Sequence, residues 1–476
     1  MKKLKKIFPI IIVLLCLTLV LVACTPSEQG DLGNENDNNG GGVTDDGGNT
    51  SPGDDSNGGT GLKPTPEGPL MPANNYFVFE KIGEKKEYAV KSAIIVDKEV
   101  VIPSLYNESP VTAILPQAFY SDDVIEEVVL PDTIKTIGER AFSLCVNLKK
   151  VSISAYSELE SIGDRAFFSC DRLSEITFPE GLSKVGSEAF GGCIDLINLT
   201  FPTALYEVGS GAFDCGWLDA VNQNGVVYAG NVAYSFYYSE SEPATQSVVI
   251  KDGTTAIAGK AFYGQDWIAS VSIPASVTHI GELALCNTAR LENIIVSGEN
   301  TVYSALGNAL VEKATNTLLA STLNTTVMDG VEVIGEEAFA YSALTTITLP
   351  ASVTHIGKGA FKQSKIMLVN IPASVRTIEE ETFLNAEFLA SITIHADLAS
   401  IKTSAFNYCL SLKEVVVENA GILESLDTPY ACSGLIARAE VVYVLDTLEA
   451  QADSLIADFD QVTSDRAGYK KYVLEN

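Results

Sequence analysis

Apolar and polar residues follow one short pattern that recurs along most of the chain. Residues 131–142 read PDTIKTIGERAF, residues 274–285 read PASVTHIGELAL, and residues 350–361 read PASVTHIGKGAF. The Ala-Phe pair that ends this motif recurs, mostly at intervals of 22 to 25 residues. A fixed period of this length predicts a solenoid, in which each unit buries its apolar face against the next unit. The second residue of the pair is Phe119, Phe142, Phe167, Phe190, Phe213, Phe262, Leu285, Phe339, Phe361, Phe383 and Phe406.

Each repeat unit has two halves that predict different backbone structure. The first half follows L-x-x-L-x-L, and its last positions alternate with polar residues, as in a strand with one buried face. A proline often follows, and it ends the strand because it has no N–H to donate. The second half follows V-x-x-I-G-x-x-A-F and predicts a short helical or irregular return. We therefore predict a β-rich, right-handed, leucine-rich-repeat-like solenoid with a parallel β-sheet on one face.

A glycine recurs at one point of the second half. Either a positive φ or a close approach of two backbone segments would explain a glycine there. The units at Ile378 and Ile401 carry Glu379 and Lys402 instead, so we expect a different or less strict turn in them. The recurring residues are Gly138, Gly163, Gly186, Gly209, Gly281, Gly335 and Gly357.

Two intervals between Ala-Phe pairs are about double the usual length, at 49 and 54 residues. Each contains a Gly-Asn dipeptide between apolar runs, Gly230-Asn231 in the first and Gly307-Asn308 in the second, which favours a tight hairpin turn. We therefore predict two hairpin-bearing inserts, at about 218–255 and 296–330.

The solenoid is expected to span residues 119–417. Solenoids need caps that cover the core at each end. Residues 73–118 are expected to form an N-terminal cap with the first repeat, and residues 418–476 a C-terminal cap.

The N-terminus indicates export. Lysines precede an apolar run that starts at Ile7, and the run ends in Leu-Val-Ala-Cys at residues 21–24. These features are typical of a secretory signal peptide. The tetrapeptide resembles the lipobox of bacterial lipoproteins, which implies that residues 1–23 are a lipoprotein signal peptide and that Cys24 is lipidated. An ordinary signal peptide and an uncleaved anchor are the alternatives. Residues 24–72 are rich in Gly, Asn and Asp and predict a disordered tether.

The repeat as a whole resembles the BspA-type leucine-rich repeat family of surface proteins. The motif P-x-S-V-T-x-I-G-x-x-A-F, its Cys-bearing loop and the next L-x-x-L-x-L carry this resemblance over about Val100 to Val417. It implies an exported, bacterial cell-surface protein linked to adhesion and to binding of host proteins. It implies no catalytic residue.

Charge narrows the range of partners. The chain has 31 Lys and Arg against 61 Asp and Glu, a formal net charge of −30. Such a surface repels nucleic acids and anionic lipid headgroups. We therefore expect extracellular proteins or glycans as partners, no nucleic acid, and contact with the membrane only through the lipid anchor.

Six of the nine cysteines follow the Ala-Phe pair. Disulfides are common in exported proteins, but stacked equivalent side chains should point in parallel toward the core, so we favour buried free thiols over disulfides. A metal site is a weaker alternative, because no C-x-x-C or nearby His accompanies them. The six are Cys145, Cys170, Cys193, Cys215, Cys286 and Cys409.

Histidines and acidic residues that could form a catalytic or metal site also recur at equivalent positions of the repeat. His279 and His355 occupy one repeat position, which favours a periodic surface over a catalytic triad. Acidic residues fall in register and could hold a cation, although a solvated row is favoured. We predict no cofactor, no metal and no enzymatic activity. The acidic residues are Glu139, Asp164, Glu282 and Glu336.

Two surfaces are candidates for binding a partner. The outward strand positions form polar rows, for example Ser152 and Thr177, which fit a soluble strand face. Aromatic residues crowd the first insert, and we expect some to pack on the solenoid while one or two stay exposed as anchors. We predict adhesion or binding by a non-enzymatic surface lipoprotein, with an enzyme-associated scaffold or a structural envelope protein as alternatives. The aromatic candidates are Tyr228, Tyr234, Phe236, Tyr237 and Tyr238.

Overall fold

The computed structural model describes most of the chain beyond the predicted tether. The described residues are 75–84, 86–221, 224–237, 245–395, 397–419, 439–448 and 459–474. They belong to one compact unit that runs from Pro66 to Asn476. The predicted signal peptide, the tether, Cys24 and Tyr238 lie outside the described residues.

Short strands follow one another along the first part of the described chain. The first five precede Phe119, and the later ones come from successive repeats. They are β1 (Tyr76–Ile82), β2 (Glu87–Ile94), β3 (Glu99–Val101), β4 (Leu105–Tyr106), β5 (Ser109–Ile114), β6 (Glu127–Val129), β7 (Thr136–Ile137), β8 (Lys150–Ser152), β9 (Ser161–Ile162), β10 (Glu175–Ile176), β11 (Lys184–Val185) and β12 (Glu207–Val208).

The central part contains a short α-helix and the first hairpin. The elements are α1 (Gly216–Val221), β13 (Gly225–Ala229), β14 (Val232–Tyr237), β15 (Gln246–Val249), β16 (Ala256–Ile257), β17 (Ile268–Ile273), β18 (His279–Ile280) and β19 (Asn293–Val296).

The remaining part begins with a three-stranded meander and ends with antiparallel strands. The strands are β20 (Tyr303–Leu306), β21 (Ala309–Glu312), β22 (Thr317–Ala320), β23 (Val333–Ile334), β24 (Thr346–Thr348), β25 (His355–Ile356), β26 (Leu368–Asn370), β27 (Thr377–Ile378), β28 (Ser391–Ile394), β29 (Ser400–Ile401), β30 (Glu414–Val417), β31 (Val441–Leu445), β32 (Phe459–Val462) and β33 (Tyr469–Leu474). A 3-10 turn, Asp446–Leu448, follows β31.

Strands from the first halves of the repeats pair into what we call the first ladder. Its described sheets run β10-β8-β6-β3, β15-β17-β19 and β24-β26-β28-β30-β31-β33-β32. Equivalent residues are register partners, as with Val128 and Val151, and strands of successive repeats are parallel. This confirms the predicted repeat solenoid with a parallel β-sheet face.

Strands from the second halves pair into a second ladder, where the sequence predicts only a short helical or irregular return. Its described sheets run β1-β2-β5-β7-β9-β11-β12 with β4 beside β5, then β13-β14-β16-β18, β20-β21-β22-β23-β25 and β27-β29. Most of these strands are two residues long, and they join successive rungs in parallel, as Ile137 joins Ile162. Each repeat is therefore one rung, held to its neighbours on two sides by backbone pairing.

Apart from Phe262, the phenylalanines of the Ala-Phe pairs stack inside the solenoid as a column that has two runs. Ring centroids from Phe119 to Phe213 are 4.8, 5.2, 5.2 and 5.9 Å apart, and those from Phe339 to Phe406 are 5.3, 5.3 and 5.2 Å apart. The rings lie within 15° of parallel in both runs. This column is the central part of the core, because aromatic rings bury the largest areas of any side chains.

Close backbone approach explains the recurring glycines. A Cβ on Gly163 would lie 2.8 Å from the Glu139 nitrogen, and a Cβ on Gly209 would lie 2.3 Å from the Ser187 nitrogen. Positive φ falls instead two residues later, as at Arg140 (52°) and Arg165 (53°). The second ladder divides where Glu379 replaces the glycine, since β25 ends one sheet and β27 begins another.

Candidate functional site

A groove lies on the outward side of the second ladder. It has a volume of about 740 Å³. The strands β7, β9, β11, β12 and β18 contribute its walls. Thr136, Ser161, Lys184, Glu207 and His279 line it from these strands. We call this feature the ladder groove.

The sequence pattern explains the polar lining of the ladder groove. In the groove strands β7, β9, β11 and β12 the second residue is apolar and points into the core, as Ile137 and Ile162 do with 1% and 2% exposure. The first residue therefore points outward. Parallel register then places Thr136 beside Ser161, and Lys184 beside Glu207. The recurring glycines also line the groove, where they contribute backbone without side chains.

The first insert shapes one end of the ladder groove. The hairpin β13-β14 pairs with β16, so the sheet that contains β12 ends at that strand and a new sheet begins with the hairpin. The rungs of the two sheets meet where Gly259 N–H donates to the Val208 carbonyl at 2.9 Å. Ala256 is the register partner of His279 and is fully buried. The Tyr206 and His279 rings contact edge to face with centroids 6.0 Å apart. A small residue at position 256 lets the two aromatic side chains meet above it.

Ion pairs neutralise part of the charge in the ladder groove. Lys184 Nζ lies 2.6 Å from a Glu207 carboxylate oxygen, and this hydrogen bond raises the pKa of Lys184. Arg165 Nε lies 2.8 Å from Glu188, which likewise raises the pKa of Arg165. Burial lowers the pKa of His279 and so favours the neutral ring. The nearby Glu207 carboxylate acts in the opposite direction, but its effect on the pKa is smaller.

The structure buries two of the five aromatic candidates. Tyr234 is 3% exposed and Phe236 is 6% exposed, so these two side chains pack on the solenoid and are not available as surface anchors. The Tyr234 hydroxyl accepts from the Phe213 N–H at 2.8 Å and donates to Asp214 Oδ1 at 2.7 Å. Its ring and that of Phe236 extend the aromatic core toward Phe262.

The other described aromatics of the first insert face outward to different degrees. Tyr237 is 38% exposed. Tyr228 is half-buried, its hydroxyl accepts from the Lys251 N–H at 3.0 Å, and the Lys251 ammonium lies 3.9 Å from its ring centroid. A role for Tyr228, Tyr237 or Tyr238 in binding stays a prediction.

The six repeat cysteines are buried free thiols, so the disulfide alternative is wrong for these residues. Four of them occupy one position and donate S–H to the Phe carbonyl of the preceding rung at 3.1 Å. This hydrogen bond, together with burial, accounts for a thiol at that position. The four are Cys145, Cys170, Cys193 and Cys409.

The two histidines at equivalent repeat positions lie on different rungs of the described chain. His355 is exposed on a later rung, outside the ladder groove, while Asp164 and Glu282 line the groove. Across the described ranges, no three His, Cys, Asp or Glu side chains are grouped so that they could hold a metal ion. None of the helices described is long and apolar enough to cross a bilayer.

The ladder groove does not follow from the sequence pattern, which predicts a binding surface on the first-ladder rows or on the aromatic insert. The sequence did contain one indication, which is the register of a polar residue, an apolar residue and a glycine on successive rungs. His279 belongs to the groove, but the sequence alone placed it only on a periodic surface.

Several solved structures of bacterial leucine-rich repeat proteins are similar to this chain. It is similar to a leucine-rich cell surface protein from Faecalibacterium prausnitzii, with 21% identity over 82% of this chain and 98% of that chain, at a TM-score of 0.44. The leucine-rich repeat protein of T. pallidum matches with 23% identity over 45% of this chain and 88% of that one, at a TM-score of 0.32. The pneumococcal vaccine antigen PcpA matches with 19% identity over 73% and 81%, at a TM-score of 0.35. No curated protein matches the chain.

A family model decides the assignment. The model described as the BspA type leucine-rich repeat region matches in six copies, over residues 112–241, 230–317 and 315–425. These segments together cover well over half of the 476 residues. The chain belongs to the BspA-type leucine-rich repeat family.

Proposed function

We propose that this chain is a non-enzymatic surface lipoprotein that binds an extracellular ligand in the ladder groove. The observation that carries the proposal is the groove itself, about 740 Å³ in volume and lined by outward side chains of successive rungs. Concave sites of this size with a few placed polar groups are typical of ligand binding. The repeat construction supports a binding role, because stacked rungs leave an extended exterior free for contact.

Export and anchoring are part of the proposal. The lysine-rich start, the apolar run and the Leu-Val-Ala-Cys tetrapeptide favour a lipidated Cys24 at the outer side of the membrane. The Gly- and Asn-rich residues 24–72 would then act as a tether between the lipid and the solenoid. The acidic surface, with a formal net charge of −30, favours ligands other than nucleic acids.

Surface labelling of intact cells tests the anchoring. The wild-type chain should react with a membrane-impermeant amine reagent and remain with the cells. The Cys24→Ala variant should be released or lose its exposure. Cys16→Ala is the matched control, because Cys16 lies within the apolar run and should leave anchoring unchanged. A Cys24→Ala chain that stays anchored and labelled would show that lipidation does not hold it.

Capture of extracellular proteins and glycans by the purified full chain tests the binding. Ser161→Trp should fill the ladder groove, since Ser161 is an outward, half-buried residue of β9, and should reduce capture at least tenfold. Ser152→Trp places the same side chain at an outward, half-buried position of the first ladder and should have little effect. Equal capture by both variants would contradict a groove-bound ligand.

A further inference from the structure

We propose that the ladder groove takes an extended, uncharged glycan, laid along the solenoid so that successive sugar units meet successive rungs. This inference rests on the proposed binding function and names its ligand class. Three features of the groove lead to it: the spacing of its rungs, the pairing of its backbone and the balance of its charges.

Rung spacing favours a glycan over a peptide. Neighbouring strands lie about 4.8 Å apart, so outward residues such as Thr136 and Ser161 repeat at that distance along the solenoid. An extended peptide advances about 3.3 Å per residue, and its side chains on one face repeat at about twice that value. Neither distance matches the rungs. A pyranose unit in an extended glycan is comparable in length to one rung, so each unit would meet an equivalent position.

The backbone of the ladder groove is already paired. The N–H groups of Gly163, Gly186 and Gly209 each donate to the preceding rung at 2.8 Å. A peptide that adds as a strand needs a free sheet edge for its main-chain hydrogen bonds. The groove presents the face of a ladder, so its ligand has to be held by side chains.

Charge pairing in the groove favours a neutral ligand. Its lining includes four carboxylates and two ammonium groups. Glu188 is paired with Arg165, and Glu207 is paired with Lys184. Asp164 Oδ1 accepts from the Ser187 N–H at 2.7 Å. The remaining excess of negative charge is small but disfavours an anionic polymer. The lining carboxylates are Asp164, Glu188, Glu207 and Glu282, and the ammonium groups are Lys184 and Lys260.

The remaining lining groups suit sugar hydroxyls, which both donate and accept hydrogen bonds. Ser161, Ser187 and Ser210 carry hydroxyls of the same dual character. A neutral His279 ring offers one donor and one acceptor nitrogen. Tyr206 lies beside His279 at the border of the groove, with Lys184 Nζ 5.8 Å from its ring centroid, and its 39% exposed side chain leaves aromatic surface against which the apolar side of a sugar ring can pack.

Calorimetric titration of the full chain with a length series of neutral glucan and chitin oligosaccharides, from disaccharide to octasaccharide, tests the inference. The groove spans six rungs, from Thr136 to Glu282. Affinity should therefore rise with length and level off near the hexasaccharide. Binding should be insensitive to added salt, because the ligand carries no charge.

Two variant pairs locate the binding. His279→Ala should weaken hexasaccharide binding at least tenfold, whereas His355→Ala, at the equivalent repeat position outside the groove, should change it less than twofold. Ser161→Trp should also abolish binding, and Ser152→Trp should not. If the His279→Ala protein does not fold, the comparison of Ser161→Trp with Ser152→Trp still decides whether the glycan binds in the groove.

Other outcomes overturn the inference. Binding of a neutral or basic peptide that Ser161→Trp abolishes, without any oligosaccharide binding, would keep the groove as a binding site but refute the glycan. Glycan binding unaffected by His279→Ala and Ser161→Trp would place the glycan elsewhere and refute it as well. Failure of every glycan, peptide and protein to bind at the groove would refute the proposed function itself.

Discussion

The recurring glycines give the sharpest test of rung stacking, and Gly163→Ala is the most informative substitution. A Cβ at this position would lie 2.8 Å from the Glu139 nitrogen, 2.9 Å from the Gly138 carbonyl carbon and 3.1 Å from the Ile137 oxygen. All three are backbone atoms of the neighbouring rung, so no flexible side chain can move aside. The two rungs have to separate.

The expected cost follows from two contributions. Inserting a methyl group into a tightly packed site typically costs about 1–3 kcal/mol. Separation also weakens the hydrogen bond from Gly163 N–H to the Ile137 carbonyl, now 2.8 Å long, which contributes about 1 kcal/mol. We therefore expect Gly163→Ala to lower the free energy of unfolding by about 2–4 kcal/mol.

Gly181→Ala is the matched control for this substitution. The nearest atom to a Cβ at position 181 is the Leu159 oxygen at 3.8 Å, which is an ordinary contact. This variant should be neutral or stabilised by up to about 1 kcal/mol through reduced entropy of the unfolded chain.

Urea denaturation followed by far-UV circular dichroism measures both changes, and hydrogen exchange locates them. In Gly163→Ala, amides of the β9 rung should exchange faster than those of distant rungs. Equal stability of the Gly163→Ala and Gly181→Ala proteins would refute close backbone approach as the reason for the recurring glycine.

Three further predictions concern the core and the groove. Phe167→Ala removes a ring stacked 5.2 Å from each neighbour and should cost about 3–5 kcal/mol in urea denaturation, while the exposed Phe388→Ala should cost less than about 0.5 kcal/mol. Burial raises the pKa of the Cys409 thiol to about 12, so iodoacetamide at mildly alkaline pH should leave it unmodified until the protein unfolds; mass-spectrometric detection of modified native Cys409 would contradict this. The pKa of His279 is lowered from 6.5, so just below that pH the unfolded state binds more protons than the folded state. The free energy of unfolding should therefore be highest above about pH 6.5 and should fall as the pH drops through that value. Denaturation across this range should show a smaller fall in His279→Gln, and identical pH profiles would contradict the assignment.

The solenoid could be predicted from the sequence because its period appears directly in the spacing of apolar residues. L-x-x-L-x-L fixes which strand face is buried, and an equal repeat length brings equivalent strands side by side. The second ladder was missed because strands such as β7 contain only two residues. Two residues are too few to show an alternation, so the pattern looked like an irregular return.

The aromatic insert shows where a pattern was present but not used. Tyr234 and Phe236 alternate with Ser235 and Tyr237 along β14, so a single buried face would contain the first two and expose the others. The structure has that arrangement. The number of aromatic residues in the insert does not distinguish core residues from surface residues. Their alternation along the strand does.

The ladder groove could not be predicted because its shape depends on contacts between distant rungs. Tyr206 and His279 meet across the junction where the first insert interrupts the ladder, with the small Ala256 as the register partner of His279. Repeat spacing gives the register of neighbouring rungs. It does not give the local geometry where two blocks of rungs join.

Hydrogen–deuterium exchange of the full chain, with and without a saturating neutral hexasaccharide, tests most directly that the second ladder is the binding surface. Exchange should slow at amides around Ser161, Ser187 and Ser210, and on the far side of the groove around Gly281. Amides on the outward face of the first ladder, such as those near Ser152, should exchange at an unchanged rate. Protection confined to the first ladder, or to the first insert near Tyr237, would show that the ligand binds elsewhere.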